Sequence, residues 1–137
     1  MLVKDVMNKK VLTCSPETSA REASSTMTDN RIGSLVVLRN GKIVGILTER
    51  DILKAVATGN SDFDSLPVEQ IMTRYIISIK PDAGIEKAIN LMVENDIKKL
   101  PVISGEKLVG IITTNDIAAL WPKIVDTLGK LLSRKFN

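Results

Sequence analysis

One offset constrains this chain more than any other feature, because most of its patterned residues recur 65 positions later. Gly45-Ile46-Leu47-Thr48-Glu49-Arg50-Asp51 returns as Gly110-Ile111-Ile112-Thr113-Thr114-Asn115-Asp116. With no gap, the same offset pairs Val3 with Val68, Met7 with Met72, Pro16 with Pro81, Ala23 with Ala88 and Met27 with Met92. It continues through Asn30 and Asn95, Ile32 and Ile97, Leu35 and Leu100, and Val37 and Val102. A period of this length means two copies of one supersecondary unit. The repeats are assigned to residues 1–58 and 67–120, with 59–66 as a linker inside the polar stretch TGNSDFDSLP and 121–137 as a C-terminal segment.

Each copy reads in the order β-α-β-β-α. A short helical turn, Lys4 to Met7 or Glu69 to Met72, leads into a brief β-branched strand, Val11 to Thr13 or Ile76 to Ile79, which stops at a proline. In the first copy Ser19 and Glu22 have the spacing of a capping box; in the second, Asp82 is the expected N-cap ahead of Ile85, Ala88, Ile89 and Met92, which share one helical face. Two apolar strands follow, SLVVLRNGKIVGIL or KLPVISGEKLVGII, broken by Asn40-Gly41 or Ser104-Gly105-Glu106. Asn-Gly tolerates the positive φ that a tight hairpin demands. A second helix begins at once, with Thr48 or Thr113 near its start and Asp51 or Asp116 in its first turn. A unit of roughly 55 residues buries little surface alone. The expected fold is therefore α/β in content, of the α+β type, with the repeats packed sheet to sheet about a pseudo-twofold axis.

Composition narrows the chemistry. The 137 residues include no histidine and one cysteine, so no intrachain disulfide can form and a zinc or Cys-His site is not expected. Cys14 reads as a half-buried strand residue, and Met7, Met27, Met72 and Met92 as core filler. There is no GxxxxGK[ST] loop and no GxSxG, so neither an enzyme nor a catalytic cofactor is expected. Aromatics make up only 3% of residues, which leaves an aliphatic core. Short, charge-interrupted apolar runs and an opening Met1-Leu2-Val3-Lys4-Asp5 without a signal-peptide pattern point to a cytoplasmic protein with no membrane span.

The net charge of +3 resides in the last segment, where Lys123, Lys130, Arg134 and Lys135 face only Asp126. A basic tail of this size does not make a nucleic-acid surface. Ile124, Val125, Leu128, Leu131, Leu132 and Phe136 follow helical spacing after Pro122, so residues 121–137 are expected to form an amphipathic helix packed on its own module or across a dimer rather than on a membrane.

The openings VKDVM and VEQIM, the strand-ending Pro16 and Pro81, NRIGSLVV and NDIKKLPV, and VGILTERDI and VGIITTNDI together resemble the CBS domain pair, or Bateman module, up to about Leu120. The resemblance implies a stand-alone regulatory protein that binds adenosine-containing ligands, AMP, ADP, ATP or S-adenosylmethionine, in two clefts between the repeats. It also implies a homodimer and an unidentified target protein. By the family pattern, Asp51 and Asp116 hold ribose hydroxyls and Thr48 and Thr113 meet phosphate. The Asp116 cleft would add Thr13, Ile32 and Gly33, and the Asp51 cleft Thr73, Ser78, Ile97 and Lys98. Lys98, Lys99 and Arg50, with Asn115 in the other copy, would set the number of phosphates accepted. Asn8 stands where the second copy has Thr73, Gly33 where it has Lys98, and Arg50 where it has Asn115, so the clefts are expected to differ.

Two simpler readings stand beside this one. The Thr and Asp pairs can be helix caps, with the carboxylates favoured by the helix dipole, and the lysines can be solvated charges. The whole chain can also be an assembly module that dimerises without ligand.

Overall fold

The computed structural model describes residues 1–120 together with 122, 129 and 130. The elements are α1 (Val3–Val6), β1 (Thr13–Cys14), α2 (Ala20–Asp29), β2 (Ser34–Arg39), β3 (Lys42–Thr48), α3 (Glu49–Ala57), a 3-10 turn (Val68–Gln70), α4 (Ile85–Asn95), β4 (Lys99–Ser104), β5 (Lys107–Thr113) and α5 (Thr114–Ala118). The amphipathic helix expected over 121–137 lies outside the described residues, apart from Pro122, Gly129 and Lys130.

The chain forms two compact units that do not coincide with the sequence repeats. One gathers Val11–Ile77 with Gly105–Leu108; the other gathers Met1–Lys10, Ser78–Ser104 and the chain from Val109 onward. Each repeat thus gives up its opening. In the first unit the segment Val68 to Thr73 lies along β3, where Ile46 and Thr73 exchange both backbone hydrogen bonds at 2.9 Å. In the second unit the N-terminal segment repeats the arrangement: Asn8 N donates to Ile111 O at 2.8 Å and Ile111 N to Asn8 O at 2.9 Å. These bridges are 65 positions apart, so the repeat symmetry extends to the exchange itself.

The first unit holds the three-stranded sheet β1-β2-β3. β1 runs parallel to β2, Thr13 opposite Val36, and β2 pairs antiparallel with β3 with a bulge between Val37 and Leu38. Asn40 and Gly41 both take positive φ, +53° and +79°, as the hairpin demands. Against this sheet Ala23, Met27, Leu35, Val37, Leu47, Val68 and Met72 form one buried cluster. A second cluster of Ala20, Ala55 and Leu66 takes in the polar stretch after α3, with Phe63 packed against it. Ala20 N donates to Leu66 O at 2.7 Å and Arg21 pairs with Asp64 at 2.6 Å, so this stretch is tied down at several points.

The second unit carries α4, β4 and β5 from Val109 onward. Its buried residues repeat the first set: Val3, Ile85, Ala88, Met92, Leu100, Val102 and Ile112. Here the strand expected over Ile76 to Ile79 shrinks to a single parallel bridge, Ile79 with Val102, 65 positions after the pairing of Cys14 with Val37. Asp82 is not a cap: Gly84 is the N-cap of α4 and makes no side-chain hydrogen bond. Gly84 has no side chain to offer a cap, and the first amide of the helix is met by main chain, Ile85 N donating to Met1 O at 3.2 Å as Ala20 N does to Leu66 O in the other unit. At Ser19, the equivalent position, the hydroxyl accepts from Glu22 N at 3.1 Å; this is half of the expected box. The first strand is Thr13–Cys14 rather than Val11 to Thr13, and the opening turns begin one residue early, at Val3 and Val68.

Candidate functional site

Each unit contains one corner where an apolar strand runs directly into a helix. β3 ends at Thr48, whose extended backbone makes it the N-cap of α3; its hydroxyl accepts from Asp51 N at 3.2 Å, and Asp51 Oδ2 accepts from Thr48 N at 2.9 Å. β5 ends at Thr113 in the same way, with Asp116 N to Thr113 Oγ1 at 3.2 Å and Thr113 N to Asp116 Oδ2 at 2.9 Å. These are reciprocal capping boxes. The simpler reading of the Thr-Asp pairs is therefore realised in both copies. It does not use them up: each hydroxyl keeps its proton to donate, and a carboxylate offers about four lone-pair sites. Both aspartates are half-buried, so a partner at these sites would meet a partly desolvated charge.

Glycine fixes how closely the neighbouring segment approaches. A Cβ on Gly45 would run into the Met72 thioether, and one on Gly110 would lie 2.6 Å from Met7 Sδ and 3.0 Å from Asn8 O. A glycine inside an apolar strand is a sign of such an approach.

The remaining expected residues divide between the units. Thr73 meets Asp51 directly, with Thr73 Oγ1 donating to Asp51 Oδ1 at 3.1 Å. Ile32 and Gly33 precede β2, and Gly33 O accepts from Glu49 N at 3.1 Å, which sets them beside the Asp51 corner. Lys98 O accepts from Thr114 N at 2.9 Å, so Ile97 and Lys98 flank the Asp116 corner in the corresponding way. Arg50 and Asn115 are exposed at the second positions of α3 and α5, Lys99 opens β4, exposed Thr13 lies in β1, and exposed Ser78 precedes the Ile79 bridge. Asn8, absent from the expected set, occupies the place at Ile111 that Thr73 occupies at Ile46.

Among the described residues, no cluster of three or more His, Cys, Asp or Glu could hold a metal ion, and no helix is long and apolar enough to cross a membrane. Cys14 is half-buried, and burial, reinforced by the charge of Glu22, pushes its thiol up to about 11. At pH 8 only about one molecule in a thousand carries the thiolate, which is the reactive form. Alkylation by iodoacetamide at pH 8 is expected to be far slower than for a free thiol, and to reach the free-thiol rate in urea.

The sequence model of the CBS domain matches residues 3–58 and again 68–123. The chain belongs to the CBS domain family. It is a CBS pair, and it is 36% identical to the CBS domain-containing protein YhcV of Bacillus subtilis over 85% of this chain and 82% of that one. The solved CBS domain pair of protein MJ0100, in complex with 5′-methylthioadenosine and S-adenosyl-L-methionine, is 32% identical and superposes with a TM-score of 0.79, covering 89% of this chain and 96% of that one. A homoserine O-acetyltransferase of Methanosarcina acetivorans is 36% identical over 90% of this chain but only 22% of its own length. That match is confined to a minor part of the enzyme, and CBS pairs of this kind are regulatory ligand-binding modules.

Proposed function

We propose that this CBS pair is a sensor of adenosine-containing ligands, with Asp51 and Asp116 holding the ribose diol and Thr48 and Thr113 donating to a phosphate or other tail. The observation that carries the reading is the duplicated corner. Two carboxylates, 65 residues apart, are fixed by identical caps at one oxygen and retain acceptor capacity. A capping role alone is met by many residue types; a diol, by contrast, needs adjacent acceptor oxygens, and a carboxylate supplies them. The ligands of the MJ0100 pair, 5′-methylthioadenosine and S-adenosyl-L-methionine, both carry that diol. AMP, ADP and ATP carry it too.

On this reading Ile32, Gly33 and Ile97 supply backbone and apolar surface to the base, while Arg50, Asn115, Lys98 and Lys99 select the tail, with Thr13 and Ser78 as further polar contacts. Occupancy signals by favouring one packing or one dimer geometry over another. That requires the states to differ in ligand affinity. The listener is a partner protein.

A thermal-shift and calorimetric screen of AMP, ADP, ATP, 5′-methylthioadenosine and S-adenosylmethionine tests the reading. A ligand at about 100 times its Kd should add roughly 2.7 kcal/mol to the unfolding free energy. Asp51→Ala and Asp116→Ala are each expected to weaken binding at their own corner by at least about tenfold, since hydrogen bonds to a charged group are among the stronger ones. Each variant is compared with its own ligand-free melting temperature, because the substitution also removes half of a capping box. Absence of any shift or heat across all five compounds would leave a ligand-free assembly module as the better account.

A further inference from the structure

The two corners share their caps and differ in one contact. Thr73 Oγ1 lies 3.1 Å from Asp51 Oδ1 and 3.3 Å from Oδ2, so a hydroxyl already sits astride the carboxylate. Its position is set by the main chain, since Thr73 N and O are both bonded to Ile46. In the other unit Asn8 makes the same pair of backbone bonds to Ile111, but its side chain turns back on its own segment, Asn8 Oδ1 accepting from Lys10 N at 2.9 Å. Among the described residues, Asp116 receives only Thr113 N.

A hydroxyl donating across both oxygens of a carboxylate offers what one hydroxyl of a vicinal diol would offer. We propose that Thr73 is an internal competitor for the diol at Asp51, and that its hydroxyl makes the Asp51 corner the weaker and later-filled of the two sites. The inference rests on the reading that these aspartates bind a ligand diol. A ligand entering at Asp51 must displace the Thr73 hydroxyl, which returns to water; a ligand entering at Asp116 displaces no protein hydroxyl. The free energy of that exchange is subtracted from the affinity of one site only. Residue 73 therefore sets the concentration interval between the first and the second binding step, and the two steps report different ligand levels.

Titration calorimetry with 5′-methylthioadenosine and with AMP tests this on single-site proteins. Asp116→Asn isolates the Asp51 corner; adding Thr73→Val should tighten binding there about five- to tenfold, the usual reach of one exposed hydrogen bond to a charged group. Thr73→Ser keeps the hydroxyl and should leave the affinity of the Asp116→Asn protein unchanged. In the reciprocal arm, Asp51→Asn isolates the Asp116 corner, and adding Asn8→Thr should weaken it by a similar factor. The hydroxyl that competes with the ligand also stabilises the ligand-free protein, so Thr73→Val is expected to lower its melting temperature by a few degrees, and all titrations are run well below the lowest melting temperature. Equal or weaker binding by the Thr73→Val protein would overturn the competitor role while leaving the diol reading intact. If neither the wild-type chain nor any variant binds either compound, the diol reading falls and the inference falls with it.

Discussion

Replacing Leu47 by alanine is expected to lower the unfolding free energy by about 2 to 5 kcal/mol, the range for truncating a buried leucine when the surroundings relax only in part. Leu47 is fully buried in β3, inside the cluster of Ala23, Met27, Leu35, Val37, Val68 and Met72. Those neighbours come from α2, β2 and the segment that crosses from the other repeat, so collapse around the void would have to move several elements at once. Leu47 also immediately precedes Thr48. If the proposed ligand sites are real, binding at the Thr48–Asp51 corner should weaken along with stability, and binding at the Asp116 corner should not. A urea titration measures the first effect, and the shift should lie in the midpoint rather than the slope. The contrast is Leu53→Ala: Leu53, on α3, is 68% exposed, and its loss should change stability by no more than about 0.5 kcal/mol. A Leu47→Ala midpoint within error of wild type would mean that this cluster is not what holds the unit together.

Such contrasts were partly legible in the sequence. The hairpins were, because Asn40-Gly41 and Gly105 carry the positive φ their turns require and each joins two apolar strands. The helix caps at Thr48 and Thr113 were legible too, since a hydroxyl three residues before a carboxylate at a strand end is a local pattern. The 65-residue offset carries Ser19 to Gly84, the N-cap of α4, whereas side-chain chemistry alone points to Asp82. The first amides of the two helices are met by main-chain oxygens far away in sequence, Ala20 N by Leu66 O and Ile85 N by Met1 O. No local pattern encodes those partners.

The exchanged openings failed to show for a related reason. VKDVM and VEQIM look alike, so the sequence alone does not say which repeat each one completes. Val3 and Val68 are the same residue at equivalent positions and both are fully buried, so residue type does not tell which repeat each one completes. The contact between Thr73 and Asp51 follows from the exchange. A reading of residue types could place Asn8 and Thr73 at equivalent positions, as it did, but not foresee that one would turn toward the carboxylate and the other toward Lys10.

The exchange yields the second large effect. Gly110→Ala is expected to destabilise the chain by about 1 to 3 kcal/mol, the cost of forcing an extra carbon into a packed site. Gly110 takes no unusual φ, so backbone freedom is not the issue. The added Cβ would lie 2.6 Å from Met7 Sδ and 3.0 Å from Asn8 O. The thioether can rotate aside. Asn8 O cannot easily do so, because it accepts the Ile111 N hydrogen bond at 2.9 Å; moving it loosens the bridge that pins the N-terminal segment to β5. The three atoms nearest a Cβ on Gly45 all belong to the flexible Met72 side chain, so Gly45→Ala should cost less than Gly110→Ala, although the two glycines are repeat equivalents. Pairing Gly45→Ala with Met72→Ala should recover part of the loss as a favourable coupling between neighbours, whereas Met7→Ala should relieve Gly110→Ala only partly, because the backbone oxygen remains in the way. Amide hydrogen exchange separates this from a general loss of stability: Ile111 N–H and Asn8 N–H should lose protection ahead of the Ile46 and Thr73 amides in Gly110→Ala. A Gly110→Ala chain as stable as wild type, with the Ile111 amide still protected, would show that the N-terminal segment does not press on β5 as closely as these distances require.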